Sequence, residues 1–158
     1  MTTPHDNFVW AMSVCSVAQM RVTPVRRAIL EFLSSSRMPV TLETISAAPG
    51  VSGHCDSTTV YRTLILFKEA DIVRLVGTSR RESFFCLNVP GRNNHFLICR
   101  ECGQISVLRL PDRTAEEIEA ASAASGFSPS KQDYEVHGVC NDCLHVRRSR
   151  SLPNKLTV

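Results

Sequence analysis

Two cysteine pairs, Cys99-Arg-Glu-Cys102 and Cys140-Asn-Asp-Cys143, constrain this chain more than any other feature. A two-residue gap lets both sulfurs of a pair turn toward one ion. Two such knuckles complete a closed tetrahedral S4 site, the usual form of structural zinc. The pairs are separated by residues 103–139, a longer insert than a compact zinc ribbon has, so one zinc per chain must clasp elements on either side of a folded insertion. Closed thiolate coordination couples metal binding directly to folding. A lone CxxC also suits a thioredoxin-like redox pair; two of them favour the metal. The chain has seven cysteines, an odd number that disulfides cannot consume. In a reducing compartment such thiols are ligands or reactive groups.

At 43% hydrophobic and 21% charged residues, the 158-residue chain can bury a core and is not a disordered tail. No stretch approaches the ~20 apolar residues of a membrane helix, and the first seven residues lack a signal-peptide pattern. These features predict a soluble cytoplasmic protein with no membrane partner. The net charge of +3 decides little, but its distribution is uneven. Residues 1–90 carry nine Lys/Arg against seven acids, residues 91–146 five against eight, and residues 147–158 four with no acid. That predicts two modules and a tail: a mildly basic first module at 1–88, a turn-rich hinge at 89–94, an acidic second module at 95–146 and a basic C-terminal tail at 147–158. A short charge run of this kind is usually a solvated end.

Helical periodicity predicts a first helix over 8–20 and a second capped by Thr23 with Pro24 at its first position, burying Val25, Ala28, Ile29, Phe32 and Leu33. A short third helix begins near Thr41. A fourth, capped by Ser57, covers about 58–70 and buries Val60, Leu64 and Phe67. Strands are expected at 72–76 and 83–87. This order is that of a winged helix-turn-helix, although a helical core on a hairpin with no ligand has the same periodicity. The fourth helix presents Ser57, Thr58, Thr59, Tyr61 and Arg62, which can reach base edges and phosphates. A merely solvated face would favour Glu and Lys pairs.

Between the knuckles, strands are expected at 104–110 and 133–139, with 95–98 leading into the first pair. A helix from 111 to about 125 should carry Asp112 or Thr114 as its cap. Its stripe of Ile118, Ala121 and Ala124 predicts close contact with a sheet. The fold class is therefore α+β, a winged helix followed by a small α/β unit whose exposed strand edges favour pairing with a second copy.

The stretches Arg21-Val-Thr-Pro-Val-Arg26, Thr58-Thr-Val-Tyr-Arg-Thr-Leu64, Phe96-Leu-Ile-Cys-Arg-Glu-Cys-Gly103 and His137-Gly-Val-Cys-Asn-Asp-Cys143 together resemble the ferric-uptake-regulator (Fur) family of metal-responsive repressors, from about residue 21 to 143. The resemblance implies a DNA-binding winged helix, an α/β dimerisation domain with structural zinc, and repression at palindromic operators in double-stranded DNA by a homodimer. By matching position, Tyr61 and Arg62 would be base and phosphate contacts and Arg21 a minor-groove contact, with Arg26 in the same basic segment.

The family's regulatory site departs from pattern. A His-rich run is replaced by Arg92-Asn-Asn-His95, an expected acid by Val107 and an expected histidine by Gln132. What remains is Cys86 on the second wing strand, where relatives place Glu or, in zinc-sensing members, Cys. This likens the chain most to zinc-sensing members and makes Cys86 and His95 candidate ligands of a regulatory metal, zinc favoured. Asp56, Glu116, His137 and Cys15 are possible further ligands. Cys86 after Phe84-Phe85 also suits a small core residue, and Cys15 lies on an apolar helical stripe. Alternatives are a sensor that answers to another metal, to thiol oxidation or to no ligand. A protein-interaction module without DNA binding and a zinc hydrolase are readings from other classes. A hydrolase would need an open three-ligand zinc, whereas a closed S4 site leaves no catalytic vacancy, so no enzyme is expected.

Overall fold

The computed structural model describes residues 3–79, 82–91, 95–111, 113–129 and 134–151. Helix α1 spans Pro4–Val17, starting earlier than its apolar periodicity suggests, because Thr3 and Asp6 form a reciprocal capping box ahead of it. Its inward face is Asn7, Ala11 and Cys15. Helix α2, Pro24–Ser35, has the expected Thr23 cap and Pro24 start, and it adds Leu30 to the expected buried face. A two-residue strand β1, Val40–Thr41, precedes α3, Leu42–Ser46, and pairs with a strand far along the chain.

Helix α4 spans Ser57–Glu69. Its cap is Asp56 and not Ser57: the carboxylate accepts the Thr59 N–H at 2.6 Å. Val60, Thr63, Leu64 and Phe67 face inward. Strands β2, Val73–Ser79, and β3, Glu82–Leu87, form the wing, and the three-stranded order is β1-β3-β2, all antiparallel. Helices and wing share one core built on Ile29, Leu30, Leu33, Ile45, Leu64, Phe67 and Phe85.

The second sheet has the order β5-β4-β6, with β4 at Phe96–Cys99, β5 at Ile105–Val107 and β6 at Glu135–Gly138. All three are shorter than or offset from the strands expected from sequence. Helix α5, Arg113–Ala124, stands where a helix was expected, but it buries no residue within the chain. Among the described residues the predicted close contact of its alanine stripe with a sheet is not seen: Ala121 and Ala124 are exposed and Ile118 is half-buried. The Asp112 cap lies outside the described residues. Helix α6, Asn141–Ser151, runs from the second cysteine pair into the basic segment, so the start of that segment is helical. Arg147 there pairs with Glu101 of the first knuckle while its side chain stays exposed.

The wing is buried on both faces. Val73, Leu75, Phe85 and Leu87 face the helices, while Val76, Phe84 and Cys86 meet Phe96, Ile98 and Ile105 of the second sheet. Strands covered on both sides lose the simple alternation of apolar and polar residues.

Candidate metal centre and nucleic-acid interface

Strand β6 runs parallel to β4, with Cys99 opposite Gly138. Parallel neighbours end at the same edge of a sheet, so the chain leaves both strands there and each carries its cysteine pair into the same place. The first knuckle is a tight turn: the Gly103 N–H donates to the Cys99 carbonyl, and the Cys99 N–H to that of Gln104. The second pair sits at the start of α6, where the Leu144 N–H donates to the Cys140 carbonyl at 3.0 Å.

The four sulfurs of Cys99, Cys102, Cys140 and Cys143 all lie within 4.8 Å of one another. Cys99 and Cys143 are 3.9 Å apart and Cys102 and Cys140 are 3.6 Å apart. Zinc–sulfur bonds of about 2.3 Å at tetrahedral angles demand sulfur separations of about 3.8 Å, so the cage fits such an ion. Hydrogen bonds from main-chain N–H groups, of Cys102 first and then Cys140, hold the Cys99 thiol down at about 6. The thiol of Cys143 is pushed up, mainly by its neighbour Cys140. Cys99 is thus the thiolate that forms first. Burial raises the thiols of Cys15 and Cys55, which keeps both protonated.

The candidate regulatory residues are not assembled in this way. Among the described residues, no three of Cys86, His95, Asp56, Glu116, His137 and Cys15 form a group at metal-binding distance. Cys86 lies in the apolar seam beside Phe96 and Ile98. The ring of His95 packs at a tilt of 40° on Tyr134, with ring centres 4.7 Å apart, and its Nδ1 accepts the Tyr134 N–H. Asp56 caps α4, Glu116 lies exposed on the first turn of α5, and His137 stands 3.8 Å from Glu135. Gln132 and residues 92–94 lie outside the described residues.

On α4, Ser57, Thr58, Thr59, Tyr61 and Arg62 are all exposed, Thr58 and Arg62 opposite the buried side and the others flanking it. Thr63 and Leu64 anchor the helix from behind. Arg21 is also exposed, just before α2. Arg26 is half-buried and donates from Nη1 to the Arg21 carbonyl at 2.7 Å. Nothing in residue type separates an arginine that touches a ligand from one that holds a loop, so this brace is not legible in the sequence.

A winged helix with an exposed polar reading face, joined to an α/β domain carrying a four-thiol cage, defines a class of DNA-binding transcription regulators. The chain belongs to the ferric uptake regulator family, whose model matches residues 17–137. It is 30% identical over 135 residues to the peroxide operon regulator of Bacillus subtilis (strain 168), covering 84% of this chain and 90% of that one. It is 32% identical over 139 residues to the peroxide-responsive repressor PerR of Staphylococcus aureus (strain USA300), covering 83% and 88%. The ferric uptake regulator Fur of Helicobacter pylori shares its fold, with a TM-score of 0.70 at 15% identity over 90% of this chain and 95% of the other. The expected family and fold are thus met, and the family is one of transcription regulators. The likeness to zinc-sensing members is not what these curated relatives carry, since both are peroxide regulators by name. Among the described residues no helix is long and apolar enough to cross a membrane.

Proposed function

We propose that this chain is a repressor that binds palindromic operators in double-stranded DNA as a homodimer, with zinc at Cys99, Cys102, Cys140 and Cys143 as the metal on which binding depends. The observation that carries the reading is the exposed face of α4, where short hydroxyls, one aromatic and one guanidinium project from a helix fixed by its buried side. Such a face suits direct contact with base edges and phosphates in the major groove. The dimer is supported by what the single chain leaves uncovered. Leu97 and Val136 on the outer face of the second sheet are 41% and 47% exposed, and Phe127 after α5 is 73% exposed. A twofold pairing that covers these surfaces presents two reading helices to two half-sites.

Nuclease protection of promoter DNA by the zinc-loaded protein tests this reading. A symmetric footprint that vanishes when a strong chelator strips the zinc, and returns on refolding with zinc, is the expected result. The absence of a footprint on any DNA containing inverted repeats would refute it. One zinc per chain is expected; a second, readily chelated zinc would favour a regulatory site drawing on Cys86, His95, Asp56, Glu116 and His137.

A second reading, peroxide response, is favoured by the names of both curated relatives. Two thiols of the cage and one hydrogen peroxide would give a disulfide and two waters, with loss of the metal. Treatment with hydrogen peroxide would then abolish the footprint, and a dithiol reductant with zinc would restore it.

A further inference from the structure

The seam between the wing and the second sheet holds a polar contact beside its apolar one. Arg74 on β2 lies opposite Cys86 on β3 and on the same face of the wing. Its Nη2 meets the Glu135 carboxylate of β6 at 2.9 Å, with the two side chains only 13% and 25% exposed. The Arg74 guanidinium also stands 5.8 Å from the centre of the Phe96 ring. Behind it, Val76 and Cys86 press on Phe96 and Ile98, all at most 8% exposed. Gly77 completes the fit: it has a φ of 54°, and a Cβ there would come 2.7 Å from Ile98 Cδ1. A charge pair shielded from water on one side, backed by apolar contact on the other, gives a docked geometry with a defined register.

We propose that Arg74 and Glu135 are positioning residues, a latch that fixes the wing against the second sheet and so sets the spacing of the two reading helices by contacts of the protein itself. The latch rests on the dimeric operator-binding reading for its consequence, but not for its existence. In a twofold dimer the separation of the recognition helices follows from the angle between each reading head and the dimer core. Such a latch acts on this angle through contacts of the protein itself, on the wing side and on the β6 side of the seam.

Hydrogen exchange on the full-length, zinc-loaded protein without DNA tests the latch directly. Arg74→Met and Glu135→Gln should each lower amide protection in β3 and β4 by about tenfold, while α2 and α4 and the zinc content stay as in the parent. The double variant should lose clearly less than the product of the two single losses, since both remove the contact between Arg74 and Glu135. Operator affinity should fall about fivefold to tenfold in all three. Unchanged protection in both single variants, or double-variant losses equal to the product of the single ones, would overturn the latch. So would a rise of tenfold or more in seam protection on adding manganese(II) to the zinc-loaded parent, because a metal would then be setting the angle. If the parent binds no DNA, the functional reading fails, while the exchange data still decide the latch.

Discussion

The guanidinium of Arg26 donates to the main-chain carbonyl of Arg21 at 2.7 Å, across the turn that enters α2. The main-chain N–H of Arg26 is itself held by the Thr23 hydroxyl. Residue 26 therefore holds the backbone of the segment that carries the exposed Arg21 side chain. Arg26→Lys, which keeps the charge but loses the planar donor geometry, should weaken operator binding severalfold with the same salt dependence. Arg21→Ala should instead reduce the salt slope by about one, as expected when a cation is lost from the minor groove and its counterions are no longer released. Titrations at several salt concentrations separate the two outcomes.

Tyr61 and Arg62 stand on the outer face of α4, and Tyr61 is 45% exposed. Arg62→Ala should weaken binding to all operators alike if its contact is a phosphate. Loss confined to one base position, worth about 1–3 kcal/mol of discrimination, marks a base contact. Thermal stability should be unchanged in either case, because neither side chain belongs to the core.

Zinc retention should depend on pH in one direction. The Cys99 thiol sits at about 6, below its ordinary value, so its thiolate is present at neutral pH and is lost as pH falls through about 6. Above that point the raised thiols, Cys143 foremost, already make the metal compete with protons; below it Cys99 joins them and the competition steepens. Chelator competition followed at a series of pH values should show zinc release accelerating under pH 6. Cys99→Ser or Cys143→Ser should release the zinc at neutral pH and melt the second sheet. A zinc-free variant that keeps its dimer and its fold would contradict the structural role.

Cys86 is 8% exposed within the seam between the domains. Cys86→Ala should leave the zinc dependence of operator binding intact. Cys86→Ser, which puts a hydroxyl among Val76, Phe96 and Ile98, should cost about 1–3 kcal/mol of stability. Loss of metal response in the alanine variant would return Cys86 to the role of a sensor ligand.

The parts of the molecule written in local chemistry were readable from sequence. Thr23-Pro24 marks the start of α2, the stripe Val60, Leu64 and Phe67 marks the inner face of α4, and the cysteine spacing marks the cage. Where two adjacent residues can do the same job, local chemistry did not discriminate: Asp56 and Ser57 are both good caps, and the carboxylate won with its short bond to Thr59. Contacts made across long stretches of chain left fainter marks. The pairing of β1 with β3 and the parallel register of β4 and β6 depend on tertiary closure that no short window contains. The seam did leave a signal, because Val76, Phe84 and Cys86 make the outer face of the wing apolar. Helix α5 was placed correctly, but among the described residues its apolar stripe is left uncovered.

The cap of α4 also governs how that helix can approach nucleic acid. The start of a helix, with its unsatisfied N–H groups and positive end, normally attracts phosphate. Here Asp56 already occupies that place, and its carboxyl is held below its ordinary range by the Thr59 N–H, so it stays negative at neutral pH. A sugar–phosphate strand is repelled from the tip of the helix, which penalises any pose that rests end-on against the backbone. On the proposed reading the helix would enter broadside, with Thr58 and Arg62, which point away from its buried side, leading into the groove, so that one acidic residue would filter docking orientations before a single base is read.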